Sequence, residues 1–313
     1  MRFSIIIPTY NEERDIAATL EALAGLDYPD REIIVVDDSS DRTPEIVGGY
    51  ARQGVRLVHP GGGGRCEARN LGIREASGEV VVLLNADVRL PADFLRRLVY
   101  HYQKGADYVL VDARVANRQF LFPRYVHCVS EVFYSRAVDC NFANMDWSEG
   151  FSCRREAALK AGLFRPGFPA PMGAGADGFF GRGLRHIGAK KAIDLSLEVA
   201  HVVPASFREY WRNRQGRGAD SAQGHCFLDR WPWWKMLLWN GLKTAKTLVW
   251  LATVAPALWT CLPAVCQSDR GLKDLGPFFY AYAVEQLAAL TGEWQATFTI
   301  MKKERLGSGL RCG

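Results

Sequence analysis

The sequence predicts an α/β fold, a doubly wound and mostly parallel sheet with helices on both faces, followed by a C-terminal apolar helical region. Three observations carry this expectation. Over the first hundred residues, short apolar runs alternate with segments of helical spacing in the order β-α-β-α-β-α-β. The run at 80–84 is apolar and rich in β-branched residues, as a strand covered on both faces of a parallel sheet must be. Two of these runs end in acidic or amide side chains, where open α/β sheets place their ligands.

Taken in order, residues 2–7 form a first strand closed by Pro8. Asn11 or Thr9 can cap the helix that follows, and Glu12 and Glu13 suit its positive first turn. Ile16, Leu20 and Leu23 then repeat at helical spacing up to Gly25. A second strand at 32–36 runs into Asp37, Asp38, Ser39 and Ser40. A helix near 43–51 and a strand at 55–58 precede GGGGRCEARN, residues 61–70, which opens another helix. After the strand at 80–84 come Asn85, Ala86 and Asp87. Residues two apart in an extended segment point to the same side, so Asn85 and Asp87 can address one ligand. Two such oxygens suit a hard divalent cation holding a diphosphate, with a plain Asx turn as the alternative.

At 313 residues with 48% hydrophobic content, the chain can bury a large core. Its net charge of +5, with both signs interspersed, does not indicate a nucleic-acid binder. Mild basicity leaves anionic partners such as nucleotides or acidic lipid headgroups. The eight cysteines form no CxxC pair and no zinc spacing, so they read as reduced, buried fillers. The opening MRFSIIIPTY is too short an apolar run for a signal peptide, which places the expectation in the cytosol.

SIIIPTYNEERDIAATLEAL, IIVVDDSSDRT and EARNLGIREASGEVVVLLNAD, in this order and spacing, resemble the nucleotide-sugar domain of family-2 inverting glycosyltransferases with a GT-A fold. The resemblance runs from residue 2 to about 109 and resumes from 149 to about 218. It implies that Pro8, Tyr10 and Glu12 line the nucleoside, and that Asp37 and Asp38 bind base and ribose. A carboxylate there accepts base N–H groups. It places Arg65, and less firmly Arg69, where a cation reaches the diphosphate. Asn85-Ala86-Asp87 matches the family's DxD with its first acid replaced by an amide. Asn85 then touches the nucleotide diphosphate, and Asp87 is the direct ligand to Mg²⁺ or Mn²⁺.

Further along, Asp177 matches the catalytic base, although the family's preceding acid is Ala176 here. One carboxylate serving a direct displacement implies inversion. A helix N-cap is the other role open to Asp177. His201 stands where related enzymes complete the metal site, and a local hydrogen bond is its alternative. Arg208, Arg212, Arg214 and Arg217 fall where the family places a gate, but no QxxRW motif is present, so polymerisation is not expected. The aromatic segment between 111 and 147 has helical spacing through Val126, Val129, Phe133 and Val138.

The division expected is a transferase domain over 1–225 and apolar or amphipathic helices over 226–313. Trp234, Leu237, Leu238 and Leu242 share one helix face while Lys235, Lys243 and Lys246 point elsewhere, a pattern of membrane-interface helices. Residues 247–266 carry no charge, a span-length run interrupted by Pro256 and Pro263. The expected partners are a nucleotide-diphosphate sugar, a glycan or polyprenyl-linked acceptor and the cytoplasmic side of the cell membrane, with a helical hairpin packed on the catalytic domain or on a second copy in a homo-oligomer as the other use of the apolar tail. A catalytically silent nucleotide-binding scaffold is the alternative function, motivated by Asn85 and Ala176. A nucleotidyltransferase is set aside because PTYNEER is not a Gly-rich loop.

Overall fold

The structure, a computed structural model, describes residues 1–137, 146–165, 176–227, 229–253 and 255–305. Strands β1 (Phe3–Thr9), β2 (Arg31–Asp37), β3 (Val55–Val58) and β4 (Val80–Leu83) alternate with helices α1 (Ile16–Ala24), α2 (Thr43–Gly48) and α3 (Gly64–Glu75). After them come β5 (Val88–Arg89), α4 (Phe94–Gln103), β6 (Tyr108–Val115), α5 (Leu121–Ala137), β7 (Phe151–Arg154), α6 (Arg155–Lys160), α7 (Ala176–His186) and β8 (Lys191–His201). Four long helices follow: α8 (Phe207–Phe227), α9 (Trp233–Ala252), α10 (Ala255–Val265) and α11 (Leu275–Arg305).

The eight strands order as β3-β2-β1-β4-β7-β6-β8-β5. The first four pair in parallel, but β7 pairs antiparallel with β4 and β6, and β5 with β8. The sheet is therefore mixed rather than mostly parallel. Successive strands run outward from β1 to β3, and β4 then lies on the other side of β1. That reversal opens a crevice at the carboxyl ends of β1 and β4, the place where such sheets take ligands. Pro8 does not end β1. Pairing with β4 stops at Ile6↔Leu83, so a missing N–H at Pro8 leaves that ladder intact.

Ile5, Ile7, Ile33, Val35, Val80 and Val82 form one core face with Ile16, Leu20 and Leu23 of α1 and Phe94, Leu95 and Leu98 of α4. The opposite face of β1 takes α3, whose Gly72 comes so close that a Cβ there would sit 2.3 Å from Ile6 Cγ2. Helices thus cover both faces, as expected. Neither Thr9 nor Asn11 caps α1; Thr9 bonds to Asp37 at the end of β2 and Asn11 to the loop after it.

The chain divides into two units, one built from residues 1–114, 143–166 and 176–202, the other from 115–142, 167–175 and 203–313. The expected boundary after residue 225 falls inside α8, and the helical unit also claims α5. In that unit the buried face of α5 is Phe122, Tyr125 and Cys128, with Val126 and Val129 beside it and Phe133 exposed. Val138 lies outside the described residues. α8 and α11 cross so closely that a Cβ on Gly218 would sit 1.9 Å from the Ala289 carbonyl, and one on Gly292 equally near that of Gln215. The uncharged stretch 247–266 is split between α9 and α10. Among the described residues, no helix is long and apolar enough to cross a membrane. Cys66, Cys128, Cys153 and Cys261 are buried free thiols and Cys266 is an exposed one, whereas Cys226 is disulfide-bonded, against the expectation that all are reduced.

Candidate active site

The loops after β1 and β2 are one hydrogen-bonded body. Thr9 Oγ1 donates to Asp37 Oδ1 at 2.7 Å, and Ser39 Oγ donates to the same oxygen. The Asn11 N–H donates to Ser39 Oγ, and Asn11 Oδ1 accepts from the Ser40 N–H. Asn11 adopts a left-handed φ of 58°, which asparagine tolerates better than most residues. The Glu12 N–H donates to Thr43 Oγ1 at 2.9 Å. This stitching uses up the small polar residues of both motifs and fixes Asp37, only 1% exposed, at the sheet end. Asp37 Oδ2 is buried with no hydrogen-bond donor among the described residues, so it is an acceptor awaiting an N–H. Tyr10, 65% exposed, and the exposed Asp38 flank it without entering the core.

A second group forms around Asp87. β5 begins at the next residue and pairs with the end of β8, with Val88 opposite His201. The Val202 N–H donates to the Asp87 carbonyl at 2.9 Å. That register brings His201 Nε2 to 3.4 Å from Asp87 Oδ2. Burial raises the Asp87 pKa, but the His201 hydrogen bond and charge, with Arg65, outweigh it and hold the carboxyl below its usual range. Asp87 Oδ1 is buried and lacks a hydrogen-bond partner among the described residues. Glu12 is pushed up to about 7 by burial and by the Asp87 charge, with Arg65 opposing. Exposed Arg65, in the first turn of α3, therefore acts on both carboxylates.

Arg69 organises the third group. It lies one turn further along α3 and is 1% exposed. Its Nη1 donates to Asp177 Oδ1 at 2.8 Å, and its Nη2 donates to Asn85 Oδ1 at 3.0 Å and Ser148 Oγ at 2.8 Å. The guanidinium lies 5.0 Å from the Phe164 ring centre, a cation–π distance. Asn70 fixes this wall by accepting from the Phe164 N–H and donating to its carbonyl. Asp177 stands in the first turn of α7. Burial raises its pKa, Arg69 opposes, and the Glu149 charge adds to the rise.

The predicted residues are thus brought together in three neighbouring sets: Asp37 with the β1 loop, Asp87 with His201, and Asn85 with Asp177 through Arg69. Ser148 and Glu149 carry no sequence signal for this role. Arg69 did carry one. Cys66, Arg69, Asn70 and Ile73 are spaced i, i+3, i+4 and i+7, the stripe of a buried helix face, and all four are buried. Of the expected gate arginines, Arg208, Arg212 and Arg217 are exposed, whereas Arg214 is buried in the helical unit, its Nε 3.1 Å from Glu285.

Among the described residues, no three His, Cys, Asp or Glu side chains form a ready cation cage. The orphaned Asp87 Oδ1 and the neighbouring imidazole are oxygen and nitrogen donors of the kind that would suit a Mg²⁺ or Mn²⁺ ion.

The sequence model of glycosyl transferase family 2 matches residues 4–160. The poly(ribitol-phosphate) β-N-acetylglucosaminyltransferase TarS of Staphylococcus aureus is 39% identical over 93 residues, 28% of this chain and 16% of TarS. The dolichol-phosphate mannosyltransferase of Pyrococcus furiosus is 36% identical over 116 residues, 34% of this chain and 32% of the relative. The chain thus spans a third or less of the length of these relatives. Among solved structures, the mannosyltransferase PcManGT of Pyrobaculum calidifontis, in complex with GDP-Man and Mn²⁺, superposes with a TM-score of 0.62 at 22% identity, covering 94% of this chain and 86% of that one. TarS 1–349 in complex with UDP-GlcNAc gives 0.55 at 17% identity, covering 98% and 92%. These likenesses establish the fold.

Proposed function

The chain belongs to glycosyl transferase family 2, and we propose that it moves a sugar from a nucleoside-diphosphate donor to an acceptor hydroxyl with inversion at the anomeric carbon. The observation that carries this reading is the buried Arg69, which ties Asn85 of the donor motif to Asp177 in one part-buried hydrogen-bonded group. Donor and acceptor machinery are then held in fixed register, as a displacement requires.

Asp37 offers its unpartnered oxygen to a base N–H, with Tyr10 and Pro8 lining the nucleoside and Asp38 reaching the ribose. Asp87 and His201 would hold a divalent cation, which supplies positive charge to the departing diphosphate. Asn85 and Arg65 face the same phosphates, and the exposed Arg65 adds the mobile cation. The acceptor oxygen attacks the anomeric carbon as Asp177 takes its proton. The anomeric carbon–oxygen bond breaks, and the nucleoside diphosphate leaves with the electron pair. Burial pushes the Asp177 pKa up and the Arg69 charge opposes that rise, favouring the carboxylate form that a base needs. A polyprenyl phosphate, suggested by the dolichol-phosphate relative, is already ionised and would not use Asp177.

The silent-scaffold reading draws on Asn85 and Ala176, yet Asn85 is engaged by Arg69 and Ala176 is buried at the start of α7. The decisive test is Asp177→Asn, assayed with a hydroxyl acceptor. Transfer should fall by about 10² to 10⁴-fold while nucleotide affinity stays within a factor of about two. Undiminished transfer would exclude the base role, and nucleotide binding without turnover in the unaltered protein would restore the scaffold.

A further inference from the structure

Helix α9 is built inside out. Its inward face carries Met236, Asn240, Lys243, Thr244 and Thr247, spaced i, i+4, i+7, i+8 and i+11. These polar groups bond to α11. Asn240 and Thr297 are hydrogen-bonded at 3.0 Å, Lys243 pairs with Glu293, and Trp294 Nε1 donates to Thr244 Oγ1 at 2.9 Å. Glu293 is 1% exposed and Thr297 fully buried. The outward face reads Trp234, Leu238, Leu242, Leu248 and Val249, with glycine or alanine at the remaining positions of that stripe. Leu242 is 70% exposed and Leu238 and Val249 62% each. The stripe is about 23 Å long at 1.5 Å per residue. Trp234, Leu238 and Leu242 also line an open apolar depression.

In water this arrangement is upside down, because large apolar side chains belong inside and charges outside. It is the ordinary arrangement where the surroundings are hydrocarbon and polar groups turn toward neighbouring helices. One edge of the stripe adds Lys235, Trp239 and Lys246, all exposed. Lys235 Nζ sits 4.1 Å from the Trp231 ring centre, so its charge stays beside the apolar face. On the next helix Trp259 is 79% exposed. Since no described helix is long and apolar enough to span, the stripe fits an interface and not a crossing.

We propose that the outward face of α9 is a docking surface for an anionic lipid bilayer, lying in the interface plane with its leucines below the headgroups and Lys235 and Lys246 against lipid phosphates. The apolar stripe selects a bilayer over a soluble anion, and the lysine edge selects acidic lipid. This inference stands independently of the transferase reading, because it is read out without turnover.

The experiment is co-sedimentation of the full chain with phosphatidylcholine vesicles, with and without phosphatidylglycerol, alongside tryptophan emission and light scattering. The unaltered protein should pellet with the acidic vesicles and its emission should shift to the blue. Leu238→Glu with Leu242→Glu should abolish pelleting with an unchanged helical circular-dichroism signal, since both side chains are exposed. Lys235→Gln with Lys246→Gln should weaken binding to the acidic vesicles by about fivefold per lysine and leave neutral vesicles unaffected. Protein that stays in the supernatant with both vesicle types, or a glutamate variant that pellets like the parent, overturns the proposal. A dimer broken by the same glutamates, without vesicle binding, would instead assign the face to a second copy.

Discussion

The two units of this chain bury charge for opposite reasons. In the sheet unit the interior is aliphatic, and Asp37 and Arg69 are buried with Asn70 and Ser148 where strand ends meet loops. In the helical unit the buried polar groups run along the helix contacts. Arg124 makes two bonds to Asp274, at 2.8 and 3.0 Å, Glu285 accepts from Tyr125 Oη and pairs with Arg214, and Lys243 pairs with Glu293. The outer surfaces are exchanged too, for Leu238, Leu242, Val249, Trp259 and Leu272 all lie exposed in the helical unit. In the first unit Asp37 and Arg69 are buried at the candidate site. In the second, buried charge marks which side of each helix faces its neighbours.

The largest expected effect comes from removing the cation of the sheet unit. Arg69→Met leaves the half-buried Asp177 without its charged partner and should cost about 3 kcal/mol of stability as well as transfer activity. Denaturant unfolding of Arg69→Met, Asp177→Asn and the double variant tests this, because the double variant should recover part of the loss. An additive pair would mean that the 2.8 Å contact carries no coupling. In the helical unit, Gly292→Leu forces a side chain against the Gln215 carbonyl and should cost about 2 kcal/mol or more by overpacking. Its sheet unit should still bind nucleotide, and loss of that binding would contradict a site built from the sheet unit's residues alone. Leu242→Glu sharpens the contrast further. In detergent-free solution it should change stability by no more than about 0.5 kcal/mol.

The smallest effect is electrostatic. Glu12 has a folded pKa of about 7 against 4.5 in an unfolded chain, so the folded state holds the extra proton between those values. Its contribution to stability is full below pH 4.5, falls as pH rises and is gone above about 7. Glu12→Gln should flatten that slope in thermal melts taken with a chelator present. A variant with the parent's slope would place the proton elsewhere.

The parallel half of the fold was legible because each strand and helix is specified by its own periodicity. The antiparallel half was not. β7 inserts between β4 and β6 although it begins 68 positions after Leu83 ends β4, as the pairing Leu83↔Phe151 records, and no local pattern announces such a partner. Asp87 and His201 were legible as a pair only through their resemblance, and the β5–β8 register supplies the physical reason. Arg69 is the instructive case. The sequence placed its charge toward the diphosphate, but its position between Cys66 and Ile73 marked a buried helix face. The same ambiguity hides α9, where a polar and an apolar stripe are both regular and only the neighbouring helix decides which is inside.

The most direct test of the account is thermal stabilisation of the unaltered chain by nucleoside diphosphates and their sugars, with and without Mn²⁺ or Mg²⁺, since a ligand that binds only the folded state raises its melting temperature. The account predicts a shift selective for one base. That shift should depend on the cation, with the cation dependence lost in Asp87→Ala and the base selectivity lost in Asp37→Asn. No shift with any nucleotide, or a shift indifferent to both substitutions, would contradict it.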